Sequence, residues 1–451
     1  MFAHVLLALT LAVPAYVDQQ QRELEIPGVA YAIVTRDRVV EQHTSGVTPQ
    51  TPFLIGSVSK PFTALTVMQL VEQGRVALDD PVGHHLPWFA FPQITVRQLL
   101  NHTSGLPQWA SRTDRFDNTP DGLNRSVRDL ASARLGAHEY SDANYMVLGA
   151  MVAEVTGRPF REVLQRQVFG PLDMRHTVAQ SAGHRYWFGH PRRFEAPYDL
   201  SGLPYGYVTA SLQDMTHFAM AHLNGGRYGS AQLLKAATVT QMQTAQTEVG
   251  YGLGWRDTTL DGTRIVWHAG AAPGFWAHLV LVPSAGLGVI VLADGYSPAL
   301  DERLASIAFT ITRMALGGAP GPSPGWDPLL RGTLYTLVAL AGLLTLTIAI
   351  SAVRRRARPG AAAFLWVAAC ALLATLVLLV LPASMGYTLT QIHLWTPDIF
   401  WSIVAVATLA KILAVLRVTL AARAARHGSR HHSGPPRRRT PLRPRRSAAP
   451  G

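Results

Sequence analysis

The sequence predicts an α+β protein: an antiparallel sheet flanked by helices with a helical subdomain, followed by three transmembrane helices. Three observations carry that prediction. Strand-like segments lie near both ends of residues 16–316, helical patterns fill most of the interval, and three long apolar runs follow a Pro/Gly-rich linker. Strands from the two ends of a segment, with helices between them, fit one sheet assembled from both termini.

Taken in order, residues 5–13 (VLLALTLAV) form an apolar run ending in Val13-Pro14-Ala15, a small-residue cleavage pattern. The run has the length of a signal-peptide core and is too short to span a bilayer. No Lys or Arg precedes it, so the alternatives are an N-terminal helix of the folded domain or a start codon placed too late. Residues 1–15 are thus a candidate signal peptide. Residues 29–34 and 38–42 read as two strands joined by a turn, and 279–282 with 289–292 as a second pair around Pro283 and Gly288. Between them Phe62, Leu65, Met68 and Val71 share one helical face, with Gly74 where a C-cap would fall. Residues 146–155 read as another helix, closed by Gly157. Residues 317–327 are a Pro/Gly linker, and there is no internal repeat.

The apolar runs at 334–353, 361–383 and about 399–416 suit a hydrocarbon core of about 30 Å. Lys411, near the end of the third, is placed to snorkel to the interface. Three transmembrane helices are therefore expected within 328–420, then a basic, disordered tail over 421–451. The mean hydropathy of +0.14 over 451 residues agrees with a membrane protein.

The formal charge of +12 would suggest nucleic acid until it is mapped. Residues 331–451 hold 16 of the 40 Lys+Arg and one of the 28 acids, Asp398, which leaves the preceding 330 residues at −3. The basic character belongs to the membrane part and tail, where anionic lipid explains it better than RNA does. The loop 354–358 (RRRAR) and the tail are basic, whereas 384–398 has no Lys or Arg and offers Tyr387 and Trp395 as interfacial anchors. The positive-inside rule then puts loop and tail in the cytoplasm and residues 16–326 outside. One cysteine, Cys370, excludes an intramolecular disulfide. The pairs Asp79-Asp80 and His84-His85 lack zinc spacing and read as turn and surface residues, so no metal and no cofactor is expected.

The chemistry concentrates at 53–63 (FLIGSVSKPFT). If Ser57 opens a helix, Lys60 lies one turn later on the same face. A serine hydroxyl is a poor nucleophile alone. A neighbouring lysine can take its proton if neutral, or support an anionic base if charged. The helix start also presents backbone N–H groups to a developing oxyanion. Ser-x-x-Lys is weak in isolation, but only three lysines occur in the chain, Lys60, Lys235 and Lys411, so chance placement here is rare.

With 78–82 (LDDPV), 94–107 (ITVRQLLNHTSGLP), 140–149 (YSDANYMVLG), 170–177 (GPLDMRHT) and 267–275 (WHAGAAPGF) following in order, the chain resembles the serine β-lactamase and penicillin-binding-protein superfamily. The likeness is to its class C-like branch of esterases and DD-peptidases. It implies a β-lactamase/transpeptidase-like fold and a second box at Tyr140-Ser141-Asp142, with Tyr140 as general base beside Lys60. The family more often has Asn where Asp142 stands, so the substrate-binding role carried over to Asp142 is altered. The bland reading makes Asp142 a helix N-cap and Tyr140 a core residue. The third box, often Lys-Thr-Gly, is His268-Ala269-Gly270 here. The resemblance gives His268 and Gly270 to substrate binding and the amides of Ser57 and Ala271 to the oxyanion hole. A neutral His268 would hold substrate carboxylates poorly and gain charge on acidification. His102, Thr103 and Ser104 read as loop structure near the site.

The expectation is a membrane-anchored serine hydrolase forming an acyl-enzyme on Ser57. Its substrates would be small esters or D-amino-acid peptides, with slow turnover of β-lactams. The alternative is a non-hydrolytic penicillin- or peptidoglycan-binding receptor that acylates once. The partners expected are a small-molecule or peptide substrate and the membrane, with no nucleic acid and no obligate protein partner.

Overall fold

A computed structural model describes residues 2–108, 113–130, 134, 136, 138–177, 181–354 and 361–431, the side chains of 2–11 and 427–431 excepted. The described chain forms two compact units, one of residues 1–334 with 384–401, the other of 335–383 with 402–451.

The first unit is built on a six-stranded antiparallel sheet. Its order is Val39–Ser45, Val29–Val34, Leu287–Ala293, Phe275–Val282, Thr263–Ala272 and Arg256–Leu260. The N-terminal strand lies against the C-terminal hairpin, Val29 facing Ala293 and Ala32 facing Ile290, so both ends of the domain close one sheet. The expected strand at 38–42 runs Val39–Ser45, and 279–282 belongs to a longer strand from Phe275. The central strands are buried along their whole length, because helices cover both faces.

One face carries Phe2–Leu24 and Asp301–Ala315, which join Val29, Tyr31, Val280 and Ile307 in one apolar layer. The first helix is continuous through Pro14, and Val13 and Val17 lie buried in that layer. The other face packs on the larger core around Ser59–Glu72, Asp142–Thr156 and Leu212–Leu223. Phe62 of the first stacks on Phe218 of the third at 3.8 Å between centroids. Each such buried aromatic contributes about 1.5–3 kcal/mol relative to leaving it exposed. Gly74 (φ +69°) and Gly157 (φ +66°) end their helices in the left-handed conformation, as their positions predicted.

The second unit takes in the greater part of three helices long and apolar enough to cross a membrane, Pro328–Arg354, Ala361–Ser384 and Pro397–Arg426. Within it Cys370, Ala410 and Leu413 pack together, with Ile348 and Leu373 against them. The last helix continues to His431, past the boundary drawn at 420. The Ala421-Ala-Arg-Ala-Ala-Arg426 run explains this, since Ala and Arg are among the best helix formers. Most of the basic loop at 354–358 and residues 432–451 of the basic tail lie outside the described residues.

Candidate active site

Ser57 sits in a single 3-10 turn, Gly56–Val58, that runs directly into the helix Ser59–Glu72. Ser57 is thus held at a helix start and lines a pocket. Gly56 has φ +53°, and a Cβ there would meet the Ala271 backbone at 2.4 Å. Opposite it, a Cβ on Gly270 would meet the Ile55 carbonyl at 2.1 Å and the Ser57 nitrogen at 2.7 Å. Two glycines therefore let the strand Thr263–Ala272 lie against the Ser57 turn, which brings Ala271 to the rim of the Ser57 pocket.

Lys60 is wholly buried, and its three ammonium protons have three acceptors. It donates to Ser57 Oγ (2.8 Å), Asp142 Oδ1 (2.5 Å) and the Tyr205 carbonyl (3.0 Å). Burial pushes its pKa down, but the charges of Asp142 and Tyr140 outweigh that, and the net direction is up. Lys60 is accordingly a fixed cation beside the serine. An uncompensated buried ion would cost several kcal/mol, so Asp142 is what permits a charged lysine here.

Asp142 begins the helix Asp142–Thr156 and is not its N-cap; Ser141 is, accepting from the Ala143 amide at 3.2 Å. Its Oδ2 accepts from Gln108 Nε2 (2.8 Å), and its amide donates to Gln108 Oε1 (2.6 Å). With one oxygen on Lys60 and the other on Gln108, Asp142 lines the pocket while its hydrogen-bonding capacity is largely spent inside the protein.

Tyr140 is half-buried at the pocket wall and is not a core residue. Lys60 Nζ lies 4.8 Å from its ring centroid and the Arg256 guanidinium 5.4 Å. Beneath it sits His102, buried, with ring centroids 4.4 Å apart. His102 is in the left-handed conformation (φ +63°), and its Nδ1 accepts from the Ser141 amide (3.1 Å) and Asn144 Nδ2 (2.9 Å). That contact ties the 94–107 stretch to the second box.

His268 differs from its expected placing. Its Nδ1 donates to the Ala269 carbonyl (2.7 Å), which leaves Nε2 to accept from the Tyr251 hydroxyl (3.0 Å). It does not line the pocket, and burial followed by the Lys60 and Arg256 charges pushes its pKa well below 6.5. The expectation that it gains charge on mild acidification therefore gives way to a buried histidine whose two ring nitrogens are engaged by Ala269 and Tyr251.

The pocket encloses about 170 Å³. Besides Ser57, Tyr140, Asp142 and Ala271 it is lined by Gln108, Asp114, Tyr205, Tyr207 and Tyr296, and by Tyr387, Gln391 and Trp395 from the segment after the second apolar helix. Sequence reasoning did not find Gln108, Tyr205, Tyr251 or Asp114 as site residues, and it read Tyr387 and Trp395 as lipid anchors. Asp79 and Asp80 hold a turn: Asp79 binds Arg97 (2.7 Å), and Asp80 accepts from the Ala77 amide (2.7 Å). No cluster of metal-ligating side chains occurs among the described residues.

This sheet and this serine–lysine turn define a class, the serine β-lactamases and penicillin-binding proteins. The Beta-lactamase family model matches residues 13–309, and the chain belongs to that family. Among curated relatives it is similar to Protein flp of Staphylococcus aureus (strain MW2), 26% identical over 64% of this chain and 64% of that protein. It is also 29% identical to penicillin-binding protein 4 of Amycolatopsis lactamdurans, over 62% of this chain and 83% of that one. The chain thus spans slightly less than two thirds of the length of the Staphylococcus relatives it matches. In fold it resembles the octameric penicillin-binding protein homologue from Pyrococcus abyssi, with TM-score 0.58 at 23% identity over 72% of this chain and 81% of that one.

Proposed function

We propose that this chain is a membrane-anchored serine hydrolase working through an acyl-enzyme on Ser57. It acts on small esters or short D-amino-acid peptides and only slowly on β-lactams, with its catalytic domain on the extracytoplasmic face. The observation that carries the reading is the Lys60 ammonium, 2.8 Å from Ser57 Oγ and locked in place by Asp142 and the Tyr205 carbonyl.

A lysine held charged is a poor proton acceptor, so the base falls to Tyr140, whose ring lies near the Lys60 and Arg256 cations behind the pocket wall. Ser57 Oγ attacks the substrate carbonyl carbon while its proton passes to the Tyr140 side-chain oxygen. The carbonyl oxygen becomes an anion received by the Ser57 and Ala271 amides. As the C–O or C–N bond breaks, Tyr140 returns the proton to the leaving group. Water then attacks the Ser57 ester, Tyr140 taking its proton and passing it to Ser57 Oγ as the acyl C–O bond breaks, giving the acid and free serine. Lys60 stays protonated throughout, its Nζ 4.8 Å from the Tyr140 ring centroid.

The preference against β-lactams rests on the pocket wall. Among its described residues it has no Lys or Arg side chain to hold a substrate carboxylate, and His268 is neutral and turned to Tyr251. A panel of p-nitrophenyl esters, D-Ala peptides and a chromogenic cephalosporin, with burst and steady-state phases resolved, tests the reading. Turnover of esters or D-peptides well above that of the cephalosporin is expected. A stoichiometric burst with no turnover on any substrate would show a receptor instead.

A further inference from the structure

We propose that the segment between the second and third apolar helices is part of the substrate site, walling the pocket so that it admits small uncharged or amine-bearing acyl groups. The inference rests on the Ser57 reading above and assigns a selectivity role to residues far outside the family-matched stretch at 13–309.

The segment is built for a fixed position. Its helix, Leu389–Trp395, is capped at Thr388 by a reciprocal capping box with Gln391. Arg185 donates to the carbonyls of His393 (2.8 Å) and Leu394 (2.9 Å), satisfying the last turn. The Phe188 amide donates to Asp398 (3.1 Å), and Ile392 and Leu394 are buried. The helix is thereby clamped onto the strand pair Ala182–Trp187 and His190–Glu195.

Three side chains then reach the pocket. Gln391 Nε2 donates to Thr113 Oγ1 (3.1 Å), and Trp395 Nε1 donates to Asp114 Oδ2 (3.1 Å) while its ring meets Tyr296 edge-on at 5.9 Å. Tyr387 completes the wall. Asp114 is the shared anchor: it also accepts from the Tyr207 hydroxyl (2.7 Å), and its amide donates to the Tyr205 hydroxyl (3.0 Å). Its left-handed backbone (φ +56°) is one a non-glycine residue adopts only when its surroundings hold it there.

The chemistry of the wall sets the substrate. Its described lining carries two carboxylates, Asp114 and Asp142, several aromatic rings and no guanidinium or ammonium. An anionic acyl group would meet the Asp114 carboxylate and aromatic faces, Asp142 being paired with Lys60, whereas a neutral or amine-bearing one would not meet like charge. The Trp395 indole and Tyr387 ring limit length, since the cavity holds only about 170 Å³.

The test uses the full-length protein in lipid nanodiscs, with p-nitrophenyl acetate and p-nitrophenyl octanoate as substrates. Trp395→Ala is expected to raise the octanoate-to-acetate ratio of kcat/KM by about tenfold, the usual scale for opening an apolar pocket. Trp395→Phe, which keeps the bulk, is expected to hold that ratio near the wild-type value. Tyr387→Ala, at a side chain 41% exposed and so tolerant of truncation, provides the second arm if Trp395→Ala does not fold. Fluorophosphonate labelling of Ser57 reports folded sites in each variant. A ratio unchanged in the folded alanine variants overturns the wall while leaving the hydrolase intact. Absence of labelling and turnover in the wild type overturns the underlying reading instead.

Discussion

At the level of single residues the site turns on one charged pair. Asp142 stands where relatives more often carry Asn, and it gives the buried Lys60 its counter-ion at 2.5 Å. Because the pair raises the Lys60 pKa, its contribution to stability is fully present below the unfolded lysine value and is lost only as pH rises through the folded one. In Asp142→Asn burial acts on Lys60 without that compensation, so the lysine pKa falls. At neutral pH the variant should lose about 3–5 kcal/mol, the usual effect of stranding a buried charge. Thermal unfolding from pH 7 to 10 checks the sign: the deficit relative to wild type should shrink as pH rises, and a constant deficit would contradict it. Tyr140→Phe keeps the ring on His102 and removes only the proton acceptor. Acylation should slow by about 10²–10⁴-fold with little change in melting temperature. If melting temperature drops and the rate per folded molecule does not, Tyr140 is a packing residue.

Helices and strands set how acid affects the molecule. His222, on the helix Leu212–Leu223, and His278, on the strand Phe275–Val282, are fully buried, and burial pushes each pKa to about 3. Neither ring nitrogen of either residue has a hydrogen-bond partner among the described residues. Depressed pKa values mean the unfolded chain binds these protons first, so stability is present above about pH 6.5 and lost as pH falls toward 3. His222→Phe, among Phe218 and Trp255, should therefore flatten the stability–pH slope in that window and lower the acid-unfolding midpoint. An unchanged midpoint would show that other groups govern acid unfolding. Elements also explain what was legible in the sequence. Ser57 and Lys60 are three residues apart, so their pairing is local, but the resemblance singled them out; it also singled out Gly270, whose close approach is to the Ser57 turn. The Tyr205 carbonyl, Gln108, Asp114 and the helix Leu389–Trp395 arrive from distant segments that carry no periodic signal of their own. Trp395 and Tyr387 read as lipid anchors because an aromatic ring beside an apolar run fits that role equally well. The bland alternative of Asp142 as the cap lies one residue off, since both Ser141 and Asp142 are good N-caps.

For the whole molecule, three apolar helices and a basic end set an expected topology, with residue 451 cytoplasmic and the 317–327 linker outside. Alkaline phosphatase and fluorescent-protein fusions at Gly451 and within the linker read this directly. A phosphatase active only when fused at Gly451 would overturn it. The segment 384–401, which joins two apolar helices, also lines the Ser57 pocket. The central claim is that Ser57 is a turning-over nucleophile. Full-length protein is reacted with an ester substrate, quenched within the steady state, digested and analysed by mass spectrometry beside Ser57→Ala. The account predicts an acyl adduct on the peptide containing Ser57 that forms and decays at rates matching turnover, with adduct and turnover both absent in Ser57→Ala. Hydrolysis persisting in Ser57→Ala, or an adduct mapping to another serine, would contradict it.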